Sequence, residues 1–218
     1  MDLSDLPRFD LVIGTDTGVG KTIVSAFLVG KLAGEGGIPS YLKPVLTGTS
    51  MSDPESDPSR CKALSGVSGL QVECLYVFPE PIDPMTAAAR AGMRIDPRRI
   101  RSEVGHRASS SHLVVEGSGG ILSPFFPDGR GILSAFTPGD LTRARVHLVS
   151  HPHLGGLSQL LTSVRLLSEI GVVPTIHLVF RRWADPFPLA TSLNPSTLRA
   201  LLPEYEILLH DSHPSPKT

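Results

Sequence analysis

Residues 10–22 read Asp10-Leu11-Val12-Ile13-Gly14-Thr15-Asp16-Thr17-Gly18-Val19-Gly20-Lys21-Thr22. Leu11, Val12 and Ile13 form a short apolar run, glycines at 14, 18 and 20 permit a tightly wound turn, and Lys21-Thr22 opens an apolar segment that continues through Lys31-Leu32. Strand, glycine-rich loop and helix in that order are the components of a phosphate loop. Backbone N–H groups converge on an anion, the helix N-terminus adds positive potential, a lysine reaches the outer phosphates, and a threonine hydroxyl ligates Mg²⁺. Thr17, Gly18, Val19, Gly20, Lys21 and Thr22 are therefore the expected nucleotide-holding residues. Five residues rather than four separate Gly14 from Gly20, which makes the loop one residue longer than the common pattern. A glycine turn that binds nothing is the bland alternative, and the adjoining Gly-Lys-Thr and preceding strand weigh against it.

The segments that follow alternate strand and helix. A helix over 21–33 is stopped by Gly34-Glu35-Gly36-Gly37, and Ser40 to Val45 reads as extended, with Lys43 biased away from helical torsions by Pro44. A lysine at the carboxyl end of a central strand sits at the ligand crevice of an open α/β sheet; an exposed lysine at a strand end is the competing reading. Thr47-Gly48-Thr49 leads into a polar loop carrying Asp53, Glu55 and Asp57. Asp57, just before a helix expected over 58–66, is the carboxylate placed to reach back toward the phosphate loop and Mg²⁺. Asp83 is expected to cap a helix that begins at Pro84 and stops at Gly92, and a further helix is expected over 97–108.

The run from His112 to Gly120 is an apolar strand that ends in Glu116 and a glycine-rich turn. Neighbouring strands in phosphate-loop proteins commonly deliver an acid to the metal, so Glu116 joins Thr22 and Asp57 as a metal-ligand candidate, and Gly119 can approach phosphates closely. Val146 to Val149 and Val172 to Phe180 read as buried strands. After the second, Arg181-Arg182-Trp183 offers a resting place for a base or ribose, and Arg181 is placed there as a nucleotide contact. Leu157 to Ile170 has helical periodicity, and its N-terminus, with Gly155 and Gly156, could hold a carboxylate. A helix from Pro195 to Leu202 and an edge strand over 205–209 close the pattern. The fold expected is a phosphate-loop NTPase-like α/β domain spanning residues 1–218, a mostly parallel sheet covered by helices on both faces.

Composition bounds this reading. At 218 residues a second catalytic domain has little room, and 40% hydrophobic with 19% charged residues is ordinary for a globular core. A formal net charge of −1 argues against a nucleic-acid surface. Arg98, Arg99 and Arg101, the densest basic group, fit a solvated helix face. Nowhere do 18 apolar residues run uninterrupted, and no secretory leader is legible before Asp10, so no membrane partner and a cytoplasmic location are expected. Cys61 and Cys74 lack metal or redox spacing and are expected as free thiols. His151-Pro152-His153 suggests a metal pair, but no third ligand stands nearby.

Taken together, the motifs resemble the dethiobiotin synthetase family. Gly14 to Thr22 is similar to that family's extended phosphate loop, extra residue included. Tyr41-Leu42-Lys43-Pro44-Val45 with Thr47-Gly48 resembles its second block, and Val114 to Gly120 its third. The resemblance implies a homodimeric, Mg²⁺-dependent enzyme for which ATP is co-substrate. A carbamate of 7,8-diaminononanoate, formed with CO₂, is phosphorylated, and the second amine closes the ureido ring. By the same resemblance Lys43 would stabilise the carbamate, and Lys21 the triphosphate. Thr15 and Thr47 would hydrogen-bond the γ-phosphate and carbamate region, while Gly155, Gly156 and Leu157 would hold the substrate carboxylate across the dimer interface.

Three departures stand beside the matches. Asp83-Pro84-Met85 replaces the family's Ser-Pro-His, and Ser158-Gln159 replaces its Asn-His. Arg181 stands near the place of a purine-selecting Asn, which predicts relaxed nucleobase choice. Rival readings are a noncatalytic nucleotide-binding paralogue, a cobyrinate-type amidotransferase synthetase, which needs a glutamine-hydrolysing domain, and a partitioning-type ATPase, whose signature lysine is absent ahead of Gly14.

Overall fold

In a computed structural model, which describes residues 6–153, 155–180 and 195–211, the run that opens the phosphate-loop motif becomes the central strand, β1 (Asp10–Gly14). The chain continues through α1 (Lys21–Gly34), β2 (Pro39–Thr47), α2 (Asp57–Ser65), β3 (Gln71–Phe78), α3 (Pro84–Arg90), α4 (Pro97–Ala108) and β4 (His112–Glu116). After a 3₁₀ turn at Ile132–Ala135 come α5 (Pro138–Arg143), β5 (Arg145–Ser150), α6 (Gly156–Glu169), β6 (Thr175–Phe180), α7 (Pro195–Leu201) and β7 (Ile207–Asp211).

The strands form one sheet in the order β3-β2-β4-β1-β5-β6-β7, with every pairing parallel. Parallel strands need helical crossovers, which leave neither sheet face to water. β1 shows the result: Leu11 and Ile13 pack into one core with α3 to α7, whereas Val12 packs into the other with α1 and α2. All three are buried, each stabilising the fold by about 1.5–3 kcal/mol. Four helices begin alike. Ser56, Asp83, Asp96 and Thr137 each cap with a side-chain oxygen, and a proline sits in the first or second helical position. That fixed φ and missing N–H suit the first turn, and each cap contributes about 1 kcal/mol.

Three expectations shift. Lys43 is not at a strand end: β2 runs on to Thr47, with Lys43 near its middle and only 2% exposed. β4 pairs with β2 only from Pro39 to Leu42, so one step further along the strand Lys43 faces the end of β4 across the crevice. Arg101 is not solvated, because its guanidinium makes a two-pronged pair with buried Asp140 of α5 at 2.6 and 3.1 Å. Arg99 of the same helix lies 4.8 Å over the Tyr76 ring, within cation–π reach. β6 begins at Thr175 rather than Val172, since the Val172 amide donates to the Leu167 carbonyl at 2.9 Å and docks that turn on α6. Cys61 is a buried free thiol, and Cys74 a partly buried one. No helix among the described residues is long and apolar enough to cross a membrane.

Candidate active site

The chain crosses from β4 on one side of β1 to β5 on the other, and an open α/β sheet presents its ligand crevice where the order reverses. The phosphate loop bridges this point. The Thr15 amide donates to the Val149 carbonyl of β5, and the Gly117 amide, just beyond β4, donates to the Val12 carbonyl, both at 2.9 Å. Gly20 has φ 105° at the start of α1, and a Cβ there would lie 2.8 Å from the Val179 side chain. Backbone torsion and the close approach of β6 thus both call for glycine.

Lys21, the first residue of α1, folds back over the loop. Its Nζ donates to the Asp16 carbonyl at 2.9 Å and the Gly119 carbonyl at 2.7 Å. A Cβ on Gly14 would lie 3.0 Å from that ammonium, so Gly14 gives the lysine its path. Burial, with the repulsion of nearby Lys43 second, lowers its pKa to about 8. An arriving phosphate would supply the countercharge that carbonyl dipoles supply only in part.

One turn of helix and two strands away is an ionic cluster in which Lys43 and Glu116 are buried and Asp57 is 39% exposed. Lys43 Nζ lies 2.7 Å from both Glu116 Oε1 and Asp57 Oδ2, and it donates to the Gly117 carbonyl at 3.0 Å. Thr22 Oγ1 donates to Asp57 Oδ1 at 2.8 Å and lies 3.1 Å from Glu116 Oε1. The outer Glu116 oxygen accepts from Ser25 at 2.8 Å and Tyr41 at 2.9 Å. Burial alone would lower the Lys43 pKa, but the Glu116 and Asp57 carboxylates outweigh it and hold it above the ordinary lysine value. Burial would likewise raise that of Asp57; the Lys43 charge reverses this and holds it below the usual carboxylate value. Lys43 and Asp57 thus each favour the charged form of the other.

Thr17, Gly18, Gly20, Lys21, Thr22, Lys43, Thr47, Asp57, Glu116 and Gly119 all line a single cavity of about 680 Å³. The oxygens of Thr22, Asp57 and Glu116 converge at its floor, and such a set of hard oxygen donors suits Mg²⁺. Asp53, earlier in this loop, is bound instead to the Thr49 hydroxyl at 2.6 Å and the Glu55 amide at 2.9 Å. Not every predicted residue reaches the cavity wall. Thr15 bonds to the Ser150 hydroxyl at 3.1 Å, and Val19 is buried in the α1-side core. Gly155, in a left-handed conformation, starts α6; the Gly156 amide donates to the His153 carbonyl at 2.9 Å, and Leu157 packs partly buried on the core. Gln159 Nε2 donates to Asp16 Oδ2 at 3.1 Å, so this helix start borders the phosphate loop rather than the cavity. His151 and His153 stack ring on ring with centroids 5.2 Å apart. Arg181 lies outside the described residues.

Two groups at the cluster had a legible signal that sequence reasoning passed over. Tyr41 stands two residues before Lys43 and so shares its strand face. Ser25 follows Thr22 by three residues and shares its helix face. Asp83 appears on the cavity wall as well as in its expected role as a cap, accepting from the Thr86 amide at 2.9 Å.

Fold and site together define a phosphate-loop nucleotide-binding α/β protein, and a family model described as "AAA domain" matches residues 10–209. The ATP-dependent dethiobiotin synthetase BioD of Mycobacterium avium is 34% identical over 204 residues, covering 91% of this chain and 85% of its own length. That of Mycobacteroides abscessus is 31% identical over 204 residues, covering 89% and 86%. The chain belongs to the ATP-dependent dethiobiotin synthetase family. Among solved structures, the MinC:MinD cell division protein complex of Aquifex aeolicus superposes with a TM-score of 0.57 over 95% of this chain and 82% of that one, at 11% identity. The Pyrococcus furiosus cell division ATPase MinD gives 0.54 over 93% and 81%, at 14% identity. These two share the fold.

Proposed function

We propose that this chain makes dethiobiotin from 7,8-diaminononanoate, CO₂ and ATP, releasing ADP and phosphate, as a ligase of biotin biosynthesis. The observation that carries the reading is the meeting of Lys21, Thr22, Lys43, Asp57 and Glu116 in one cavity of a chain whose relatives bear that enzyme's name. Phosphoryl transfer asks a protein mainly to position groups and offset charge. The loop amides and Lys21 would cradle the triphosphate, with Thr17, Gly18, Val19, Gly20 and Gly119 shaping the loop around it. Mg²⁺, held by Thr22, Asp57 and Glu116, would supply neutralisation of the phosphate oxygens. Lys43 would face the carbamate anion and keep it in line, and Thr47 at the end of β2 would hydrogen-bond it. Thr15 would support the γ-phosphate end of the loop.

The substrate carboxylate would be taken by Gly155, Gly156 and Leu157 of a second subunit, since in their own subunit these residues stand off the cavity wall. The proposed assembly is therefore a homodimer. The proposed location is the cytoplasm, where ATP is available to the reaction, and cell fractionation tests it. Lys21, Lys43, Asp57 and Glu116, the charged groups proposed for the chemistry, line one cavity, and no observation favours a noncatalytic role.

The test is phosphate release by purified protein with Mg-ATP and bicarbonate, with and without 7,8-diaminononanoate. Release that depends on the diamine is expected, and its absence would overturn the reading. Lys21→Ala should abolish turnover. Lys43→Ala should leave affinity for metal-free ADP within about threefold while kcat falls by roughly 10²–10³, the scale of losing one charge-stabilising group. Full turnover in Lys43→Ala would refute its assigned role.

A further inference from the structure

We infer that Lys43 is an internal counter-cation that occupies the metal site while no nucleotide is bound, and is released toward the substrate only when the metal–nucleotide complex takes its place. The inference rests on the reading of Thr22, Asp57 and Glu116 as the Mg²⁺-holding set.

The contacts of the ammonium carry it. A lysine has three N–H donors and no acceptor, and Lys43 spends them on Glu116 Oε1, Asp57 Oδ2 and the Gly117 carbonyl, at 2.7, 2.7 and 3.0 Å. The rest of the cluster is fixed without it. Ser25 and Tyr41 anchor the other oxygen of Glu116, and Thr22 anchors the other oxygen of Asp57. The oxygens left facing inward are those that the metal would take, and a group already stands between them.

Charge explains why the arrangement is exchangeable. Glu116 is fully buried, and a buried carboxylate without a partner is strongly destabilising; Lys43 provides that partner in the resting protein. Two carboxylates against one ammonium still leave a net charge of −1, which a divalent cation in place of the ammonium brings to zero. Lys43 has somewhere to go, because it lines the same cavity as Lys21, Thr47 and Gly119. A four-carbon stem with a compact charged head can reorient without backbone movement. Its positive charge would then face the space where the carbamate is expected. The carbamate-stabilising cation would thus be withheld until the phosphate donor is in position.

The test measures metal binding in the absence of nucleotide and of diamine. Wild-type protein titrated with Mn²⁺ and followed by electron paramagnetic resonance should bind it weakly. Lys43→Met, which keeps the stem and removes the charge, should bind Mn²⁺ at least tenfold more tightly. Equal or weaker Mn²⁺ affinity in Lys43→Met would overturn the inference. Should that variant fail to fold, wild-type protein labelled with ¹⁵N-lysine provides a second measurement. The Lys43 ammonium resonance should move when Mg²⁺ and ADP are added together and stay in place with ADP alone, and a resonance that ignores both additions would equally overturn the proposal. Neither experiment uses diaminononanoate. A failed turnover assay with tightened Mn²⁺ binding would refute the dethiobiotin reading alone, and diamine-dependent turnover with unchanged Mn²⁺ affinity would refute this inference alone.

Discussion

Gly20 places two constraints on one residue, a φ of 105° and a Cβ position 2.8 Å from Val179. Gly20→Ala is expected to cost at least about 2 kcal/mol, since the left-handed backbone alone takes roughly 1–2 kcal/mol from an L-residue. Gly34→Ala is the control: it lies at the end of α1 with nothing within 4 Å of an added Cβ, and should be neutral or stabilising by up to about 1 kcal/mol. Urea unfolding of the two variants beside the wild type checks both. Nucleobase choice also belongs to single residues. With Arg181 near the place of a purine-selecting Asn, ATP should be preferred over CTP and GTP by less than about a hundredfold, ~2.7 kcal/mol, and competition binding measures it. Lys21, Thr22 and Glu116 were legible as charged or hydroxyl groups beside a glycine-rich turn, Lys43 as a lysine held extended by Pro44, and Asp57 as the acid just before a helix. Tyr41 and Ser25 carried a fainter signal, a face shared with Lys43 and with Thr22, because an aromatic in a strand and a serine in a helix look like ordinary core and surface until their hydroxyls are seen on a buried carboxylate.

A hydrogen-bonded row links four of the seven strands beneath α1. His147 of β5 meets Asp10 of β1 through Nε2 at 2.8 Å, its Nδ1 lies 2.9 Å from His177 Nε2 of β6, and His177 Nδ1 lies 2.7 Å from His210 Nε2 of β7. Arg145 pairs with Asp10 at one end, and Phe27 of α1 meets the His210 ring edge-on at the other. For neutral rings with Asp10 as acceptor, His147 donates through Nε2, and each following ring then donates through its own Nε2 into the Nδ1 before it. One carboxylate sets three tautomers. Burial first, and then neighbouring His147 and His210, push the His177 pKa down to about 2. The unfolded chain takes up this proton below about 6.5 and the folded chain does not until about 2, so folding stability should fall with pH across that window. The slope for one such group is about 1.4 kcal/mol per pH unit. Urea midpoints from pH 7 to 5 should show a smaller slope for His177→Gln than for the wild type, and equal slopes would contradict the assignment. None of this was legible in the sequence, where His147, His177 and His210 are three isolated residues in three separate strands.

At the scale of the whole molecule, the cavity joins the phosphate loop, β2, β4, α1, α2 and the start of α3, so a ligand bound there ties together segments from both halves of the sequence. A nonhydrolysable Mg-ATP analogue at a hundred times its Kd should stabilise the fold by about 2.7 kcal/mol. For a chain of this size that raises Tm by roughly 5–10 °C, and Lys21→Ala should remove most of the shift in a thermal melt. Sedimentation velocity should show a dimer if the start of α6 serves a neighbouring subunit's cavity.

The sequence by itself determined the local elements. β1, the phosphate loop and the start of α1 follow from an apolar run, glycines and a lysine within 13 residues, and the starts of α3 and α4 from Asp-Pro pairs that cap and preset the first turn. Such signals are short-range, carried by torsions and neighbouring hydrogen bonds. Tertiary structure alone decided the strand order and the meeting of distant groups. Lys43 and Glu116 are 73 residues apart and 2.7 Å distant, because β2 pairs with β4 rather than with β1, and because that pairing ends one residue before the lysine. Parallel strands buried on both faces read as similar apolar runs, so their order depends on how helices and strands pack across the sheet, and that choice left Lys43 between two carboxylates.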